Sequence, residues 1–184
     1  FYSNFFFPPL IGVYCAFLWR FENFHSCRHT LMTQPVKLST IYCSKYCMVC
    51  AITVLTQLWF TVLYLVSGKI VGLPGLPPTD ICGWIVRGTI GGFVIATVQY
   101  LVASVIRNFA IPIAVGLFGG ISGLLISNTS AGIYWPYSLM LLGMNSNKYD
   151  DMLSSQLPLF FFFSIFYILL FLLLGIWMLG KNES

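Results

Sequence analysis

Two histidines four residues apart, His25 and His29 in the string HSCRH, would share one face of a helix, with Cys27 on another side. Zinc peptidases use this spacing but need a glutamate directly after the first histidine as general base, and Ser26 holds that place. The pair therefore reads as a solvated or interfacial helix face. Gly120-Ile121-Ser122-Gly123 spells GxSG inside an apolar run, as intramembrane serine proteases have. Their serine needs a histidine base at membrane depth, and both histidines lie in a polar stretch. These glycines read as close helix contacts instead. Cys43, Cys47 and Cys50 fall at i, i+4 and i+7 on one helical face. A metal site would want further polar ligands that this run lacks, so they read as packing cysteines. No GxxxxGK[ST] loop is present to cradle a nucleotide.

With enzymatic chemistry set aside, the elements themselves become informative. Apolar residues make up 58% of the chain and charged residues 8%, and the mean hydropathy is +0.87. A soluble domain of this composition would show water far too much apolar surface. The fold class is all-α, a polytopic membrane protein. A span needs about 20 mostly apolar residues, because a helix satisfies its own backbone groups in lipid. Five segments qualify: residues 5–19, 46–66, 81–106, 109–126 and 159–179. Pro8-Pro9 stands near the start of the first, where proline loses no helical hydrogen bond, or kinks a longer span. The pairs Gly88/Gly92, Gly116/Gly120 and Gly119/Gly123 have the spacing that lets helix backbones approach. The chain opens on Phe1 rather than Met and lacks signal-peptide flanks, so a further span is expected ahead of it. No basic run with interleaved aromatics points to nucleic acid.

Between the first two spans lies an island of polarity, residues 20–45, with four of the nine Lys/Arg, both histidines and one of five acids. Asn23 or Ser26 can cap a short helix that Pro35 stops, and Phe24, Leu31 and Met32 give it an apolar side. Such a helix suits either the groove of a cytoplasmic partner or the lipid surface, and spacing leaves both open. Residues 67–80, SGKIVGLPGLPPTD, form a Gly/Pro-rich connection. Residues 127–158 form a mixed loop, interfacial or partly re-entrant, whose Tyr134, Trp135, Tyr137 and Tyr149 are aromatics expected at a headgroup boundary.

With alternating sides, Arg20, Arg28, Lys37, Lys45, Arg107 and Lys181 share one face against Lys69 and Lys148 on the other, which places the island and the C-terminus in the cytoplasm. Cys27 and Cys43 then face a reducing compartment. Arg87 lies inside a span near its outer end, where it either snorkels to the interface or lines a substrate path.

The ordered run Glu22-Asn23, Arg28, Leu31, Pro35, Tyr42 and Lys45 resembles the cytoplasmic loop of ABC-2 type exporter permeases. The outer loop Gly72–Pro78, the glycine-rich hairpin meeting at Arg107-Asn108, and SAGIYWPYSLM before the last span fit the same group. Within it the chain most resembles the permeases of lantibiotic-immunity transporters, and next those of bacitracin type. The resemblance implies one transmembrane permease domain over residues 1–184, six-spanning in full, in a bacterial cytoplasmic membrane. It implies a second permease, identical or related, and ABC ATPase subunits that bind ATP and Mg, leaving no cofactor in this chain. It further implies a peptide antibiotic as substrate, with Glu22, His25, Arg28, Leu31, Pro35 and Lys45 coupling to the ATPase. Arg87, Tyr134, Trp135 and Tyr137 are the residues expected along the substrate path. The competing class is a non-transporting scaffold or sensor subunit of the same fold.

Overall fold

The computed structural model describes residues 2–23, 38–72, 80–106, 108–146, 153 and 156–181, and no strand occurs among them. Its helices are α1 (Phe7–Asn23), α2 (Leu38–Ile70), α3 (Asp80–Val105), α4 (Ala110–Ser127), the short α5 (Leu139–Gly143) and α6 (Leu157–Lys181). A π-helical turn, Tyr2–Phe6, leads into α1, and a 3-10 turn, Ser130–Tyr134, follows α4. Four helices, α2, α3, α4 and α6, are long and apolar enough to cross a membrane. The fifth expected span, α1, has 17 residues, about 26 Å at the helical rise; the π turn carries its helical course back to Tyr2.

The second span is longer than its apolar run. At 33 residues α2 measures about 50 Å, against roughly 30 Å of hydrocarbon in a bilayer. It starts at Leu38 rather than Tyr46, so the island gives up its last residues to the helix. The reason is burial: Tyr42 is enclosed by neighbouring helices, and the Lys45 ammonium sits 4.6 Å from the centre of the Trp19 ring. At the far end Gly72 takes φ +80°, and its N–H donates to Lys69 O at 3.1 Å, a left-handed stop that glycine adopts without strain.

Helix α3 is the centre of the bundle, touching α1, α2, α4, α5 and α6. A helix apolar on all sides is a buried helix, and Val94, Ile95, Ala96, Thr97, Gln99 and Tyr100 are all fully enclosed. Its glycines admit two different neighbours. A side chain on Gly92 would press on the Phe7 ring at 3.1 Å, whereas one on Gly91 would lie 2.5 Å from the Met140 N and Cα of α5. Helices α1 and α4 cross through reciprocal contacts: a Cβ on Gly12 would meet Pro112 O at 2.8 Å, and one on Gly116 would meet Pro8 O at 2.7 Å. The expected close packing at Gly88, Gly92, Gly116, Gly119 and Gly123 is present, but Gly119 and Gly123 receive Tyr137 rather than another long helix.

Residues 127–146 therefore run into the bundle. Leu139, Met140, Leu141 and Gly143 of α5 are buried, and Asn145 turns the chain out again at φ 48°, a conformation asparagine tolerates better than most residues. Tyr137 corrects the interfacial reading of this segment's aromatics: it is 5% exposed, whereas Tyr134 is 53% exposed. Composition could not separate them, since a tyrosine suits both a headgroup boundary and a buried site with a hydrogen-bond partner. The three cysteines of α2 also differ from the packing role expected of them. Cys43 and Cys47 are exposed and only Cys50 is partly buried.

Gly91→Ala weighs two opposing effects. Helix propensity favours alanine by about 1 kcal/mol, while overpacking against a fixed backbone costs about 1–3 kcal/mol. We expect Gly91→Ala to lower the unfolding temperature of the detergent-solubilised protein. Gly83→Ala, with nothing within 4 Å of the added methyl, should leave it equal or higher. Equal melting of all three proteins would show that α5 does not approach α3 this closely.

Candidate functional site

Three groupings stand out, one at each end of the bundle and one at its middle. The first is a ring cluster where the polar island leaves and rejoins the membrane. Trp19 near the end of α1, Tyr42 near the start of α2 and Tyr100 of α3 lie together, with ring centroids 6.2 Å (Trp19–Tyr42), 5.6 Å (Trp19–Tyr100) and 4.6 Å (Tyr42–Tyr100) apart. Tyr46 joins at 5.9 Å from Tyr100. Hydrogen bonds fix the register: Tyr100 OH donates to Tyr42 O at 3.0 Å, and Tyr46 OH pairs with Thr97 Oγ1 at 2.8 Å. Helix α6 closes the cluster where Gly175 meets the Tyr42 hydroxyl. Cations at this end lie on rings, Lys45 on Trp19, Arg20 on Phe109 at 5.6 Å and Lys181 on Trp177 at 5.4 Å. Each such contact is worth about 0.5–1 kcal/mol when exposed and about 2 when desolvated.

The middle grouping centres on Gln99, which is fully buried. With its amide oriented to suit its neighbours, Nε2 donates to Pro112 O at 2.8 Å, while Oε1 accepts from Gly116 N–H at 2.8 Å and from Tyr137 OH at 3.1 Å. Residues 112 and 116 form one rung of the α4 backbone ladder, so a single side chain of α3 holds both α4 and the buried segment that carries Tyr137. Pro112 and Gly116 fit this role because α4 carries no side chain at 116 to keep the amide away.

The third grouping is a cavity of about 770 Å³ at the opposite end from the rings, between the π turn, α2, α3 and the residues after α5. Tyr2, Phe60, Tyr64 and Trp84 supply rings, and Gln57, Ser3 and Ser146 supply polar groups. Tyr2 OH donates to Gln57 Oε1 at 3.3 Å, and the Ser3 and Ser146 hydroxyls are 3.1 Å apart.

The residues singled out in the sequence distribute unevenly over these groupings. Lys45 belongs to the ring cluster. Glu22 falls in the last turn of α1, and His25, Arg28, Leu31 and Pro35 lie outside the described residues. Arg87 is on α3 where Gly143 of α5 packs against its backbone, at 2.7 Å from carbon and oxygen for an added Cβ. Tyr134 accepts a hydrogen bond from Tyr167 at its carbonyl, and Trp135 Nε1 donates to Ser122 Oγ at 3.2 Å. The Ser122 hydroxyl in turn donates to Gly119 O at 2.8 Å, so the serine of the GxSG string is engaged in structure. Tyr134, Trp135 and Tyr137 thus address α6, α4 and Gln99 respectively and do not converge. Trp19, Tyr100 and Tyr2 were not singled out. Gln57 and Gln99 carried a usable signal, being among the few polar side chains at membrane depth, where such residues are costly.

A family model described as ABC-2 family transporter protein matches residues 1–123. The chain belongs to that family. The matched residues run from the π turn through most of α4, and so include the polar island, the ring cluster and Gln99. No curated protein and no solved structure matches the chain. This ABC-2 transporter protein is a multi-pass, all-helical membrane component of a transport system.

In this ABC-2 protein Gln99 and Tyr137 should be energetically coupled. Gln99→Leu strands the Tyr137 hydroxyl, and Tyr137→Phe removes the group that would be stranded. A double-mutant cycle on unfolding in detergent should give a coupling of about 0.6–1.7 kcal/mol, the range found for polar pairs between membrane helices. Strict additivity would show that the two side chains do not act together.

Proposed function

We propose that this chain is the permease subunit of an ABC exporter that confers immunity to a lantibiotic or similar amphipathic peptide antibiotic. In this reading it pairs with a second permease, identical or related, and is driven by separate ABC ATPase subunits that hold ATP and Mg. The peptide is removed from the membrane, and the C-terminus and the island face the cytoplasm. Family membership supports the transport role, and the order and spacing of motifs over nearly the whole chain support the lantibiotic-immunity branch.

The observation that carries the mechanism is the ring cluster. The island leaves α1 and rejoins α2 where Trp19, Tyr42, Tyr46, Lys45 and Tyr100 join both helices to α3. A push on the segment around residues 25–34 is therefore not absorbed by loose helix ends. It tilts α1 and α2 and bears on α3. In this scheme Glu22 and Arg28 make the polar contacts with the ATPase, with His25, Leu31 and Pro35 shaping the coupling segment. ATP drives the alternation by binding two conformations of the ATPase unequally. Of the path residues, Tyr134 and Trp135 present exposed aromatic surface, whereas Tyr137 is buried; Arg87 would line the path from α3.

The decisive experiment is a mild-detergent pull-down of the tagged chain, scored for a co-purifying ATPase, with a version lacking residues 25–34 alongside. We expect the ATPase with the intact chain and its loss with the deletion. Arg28→Glu should lower peptide resistance in cells without lowering the amount of protein in the membrane. Trp19→Ala should retain the ATPase yet lose resistance. No ATPase under several detergents would favour the scaffold or sensor reading.

A further inference from the structure

The cavity at the far end of the bundle has features that lipid packing alone does not call for. Its volume, about 770 Å³, lies within the 300–1,000 Å³ common for ligand pockets, too little for a whole antibiotic peptide but ample for a short piece of one. None of its described lining residues is charged. Its rings are Tyr2 and Phe60, stacked at 3.7 Å, with Tyr64 and Trp84. The polar groups are held deep, since Gln57 is 2% exposed and Ser3 is 4% exposed. The Ser3 and Ser146 hydroxyls pair with each other and Gln57 Oε1 accepts from Tyr2, so the group that an alkyl chain would serve worst is the Gln57 Nε2.

Gln57 shows what is wanted. Its Nε2 donates to the Met144 thioether at 3.7 Å, and thioether sulfur is a weak acceptor. A carbonyl oxygen in the cavity would exchange a weak bond for a strong one at a buried site. The Ser3–Ser146 hydroxyl pair offers further donors and acceptors beside it. Rings for apolar side chains, an amide for a backbone carbonyl and the absence of charge together describe a peptide segment.

We infer that this cavity, walled by Tyr2, Phe60, Tyr64 and Trp84 and floored by Gln57, binds a short uncharged apolar segment of the transported peptide through its side chains and one backbone carbonyl. The assignment rests on the exporter reading and names which part of the substrate the permease holds. The cationic part of an amphipathic peptide stays outside the cavity.

The full chain in phosphatidylcholine nanodiscs is photolabelled with N-acetyl-Leu-(photo-leucine)-Leu-amide, an uncharged peptide, and separately with a diazirine-bearing dodecane that has no carbonyl. The expected result is peptide adducts mapped by mass spectrometry to residues 57–64 and 84–85. They should fall about five- to tenfold in Gln57→Leu, the effect of losing one buried hydrogen bond, and disappear in the cavity-filling Thr61→Trp. Gel filtration checks that both variants fold, and the adduct map of the unaltered chain stands whether or not they do. Adducts spread elsewhere would overturn the site. Equal labelling by the alkyl probe, indifferent to Gln57→Leu, would make it a lipid-chain groove and overturn the peptide assignment. The two readings fail separately: labelling needs no ATPase, and the pull-down does not involve the cavity.

Discussion

Backbone that leaves the helical path at membrane depth survives only where protein encloses its polar groups, and in this chain glycine makes that enclosure possible. Met140 approaches α3 over Gly91, and Gly143 lies against the carbonyl of Arg87. On the neighbouring helix, Gly119 and Gly123 make room for Tyr137. Once Tyr137 is seated its hydroxyl reaches Gln99, and Gln99 reaches the Pro112–Gly116 rung of α4. Removing a side chain at a few positions thus lets one amide join α3, α4 and the segment that carries Tyr137. Without those close approaches, Gln99 would be a buried polar group in lipid with nothing to satisfy it, a cost of several kcal/mol.

The same economy of polar contacts shapes the other end of α3. Arg20, Lys45 and Lys181 all lie against rings, which offer a cation attraction without requiring a buried carboxylate. Rings also pack, so Trp19 and the three tyrosines hold the helices together while meeting the cation. Ring contacts are thus one way in which this chain places positive charge at the edge of a membrane span.

How much of this was legible in sequence follows from the range of each interaction. The long spans could be read because lipid imposes its demand on every residue of a contiguous run; α3, α4 and α6 follow their apolar stretches, and α2 contains its own and runs beyond it. Glycine spacing gave the close-packed faces, since small residues at i and i+4 mean one thing in a membrane helix. What lay on those faces was not legible: nothing local in Tyr137 distinguishes it from Tyr134, and the difference arises from glycines about 14 to 18 positions earlier in the chain. The early start of α2 was hidden for a similar reason. Lys45 reads as the end of a polar segment until Trp19, 26 positions away, supplies its ring. Polar residues within spans, Gln57 and Gln99, would have been the better pointers to the sites, whereas Arg28 and Lys37 of the connecting segment lie outside the described residues.

The two ends of the bundle differ in kind, and the difference bears on how motion would travel. At the island end, α1, α2, α3 and α6 are joined by rings, hydrogen bonds and the Gly175–Tyr42 contact. At the other end the π turn, α2 and α3 stand apart around a cavity, bridged by the Tyr2–Gln57 bond at 3.3 Å and the Tyr2–Phe60 stack. Rigid helices that are fixed together at one end and separated by space at the other can change their spacing only at the open end. In the proposed scheme a tilt imposed at the rings would be carried along α2, about 33 Å from Tyr42 to Tyr64, to the walls of the cavity. The Tyr2–Gln57 bond, the Tyr2–Phe60 stack, the Ser3–Ser146 pair and the Gln57–Met144 contact are among those that such a movement would strain. In the proposed scheme the ring end and the hollow end would then act as two parts of one lever, with Gln99 between them tying α4 and residues 127–146 to α3.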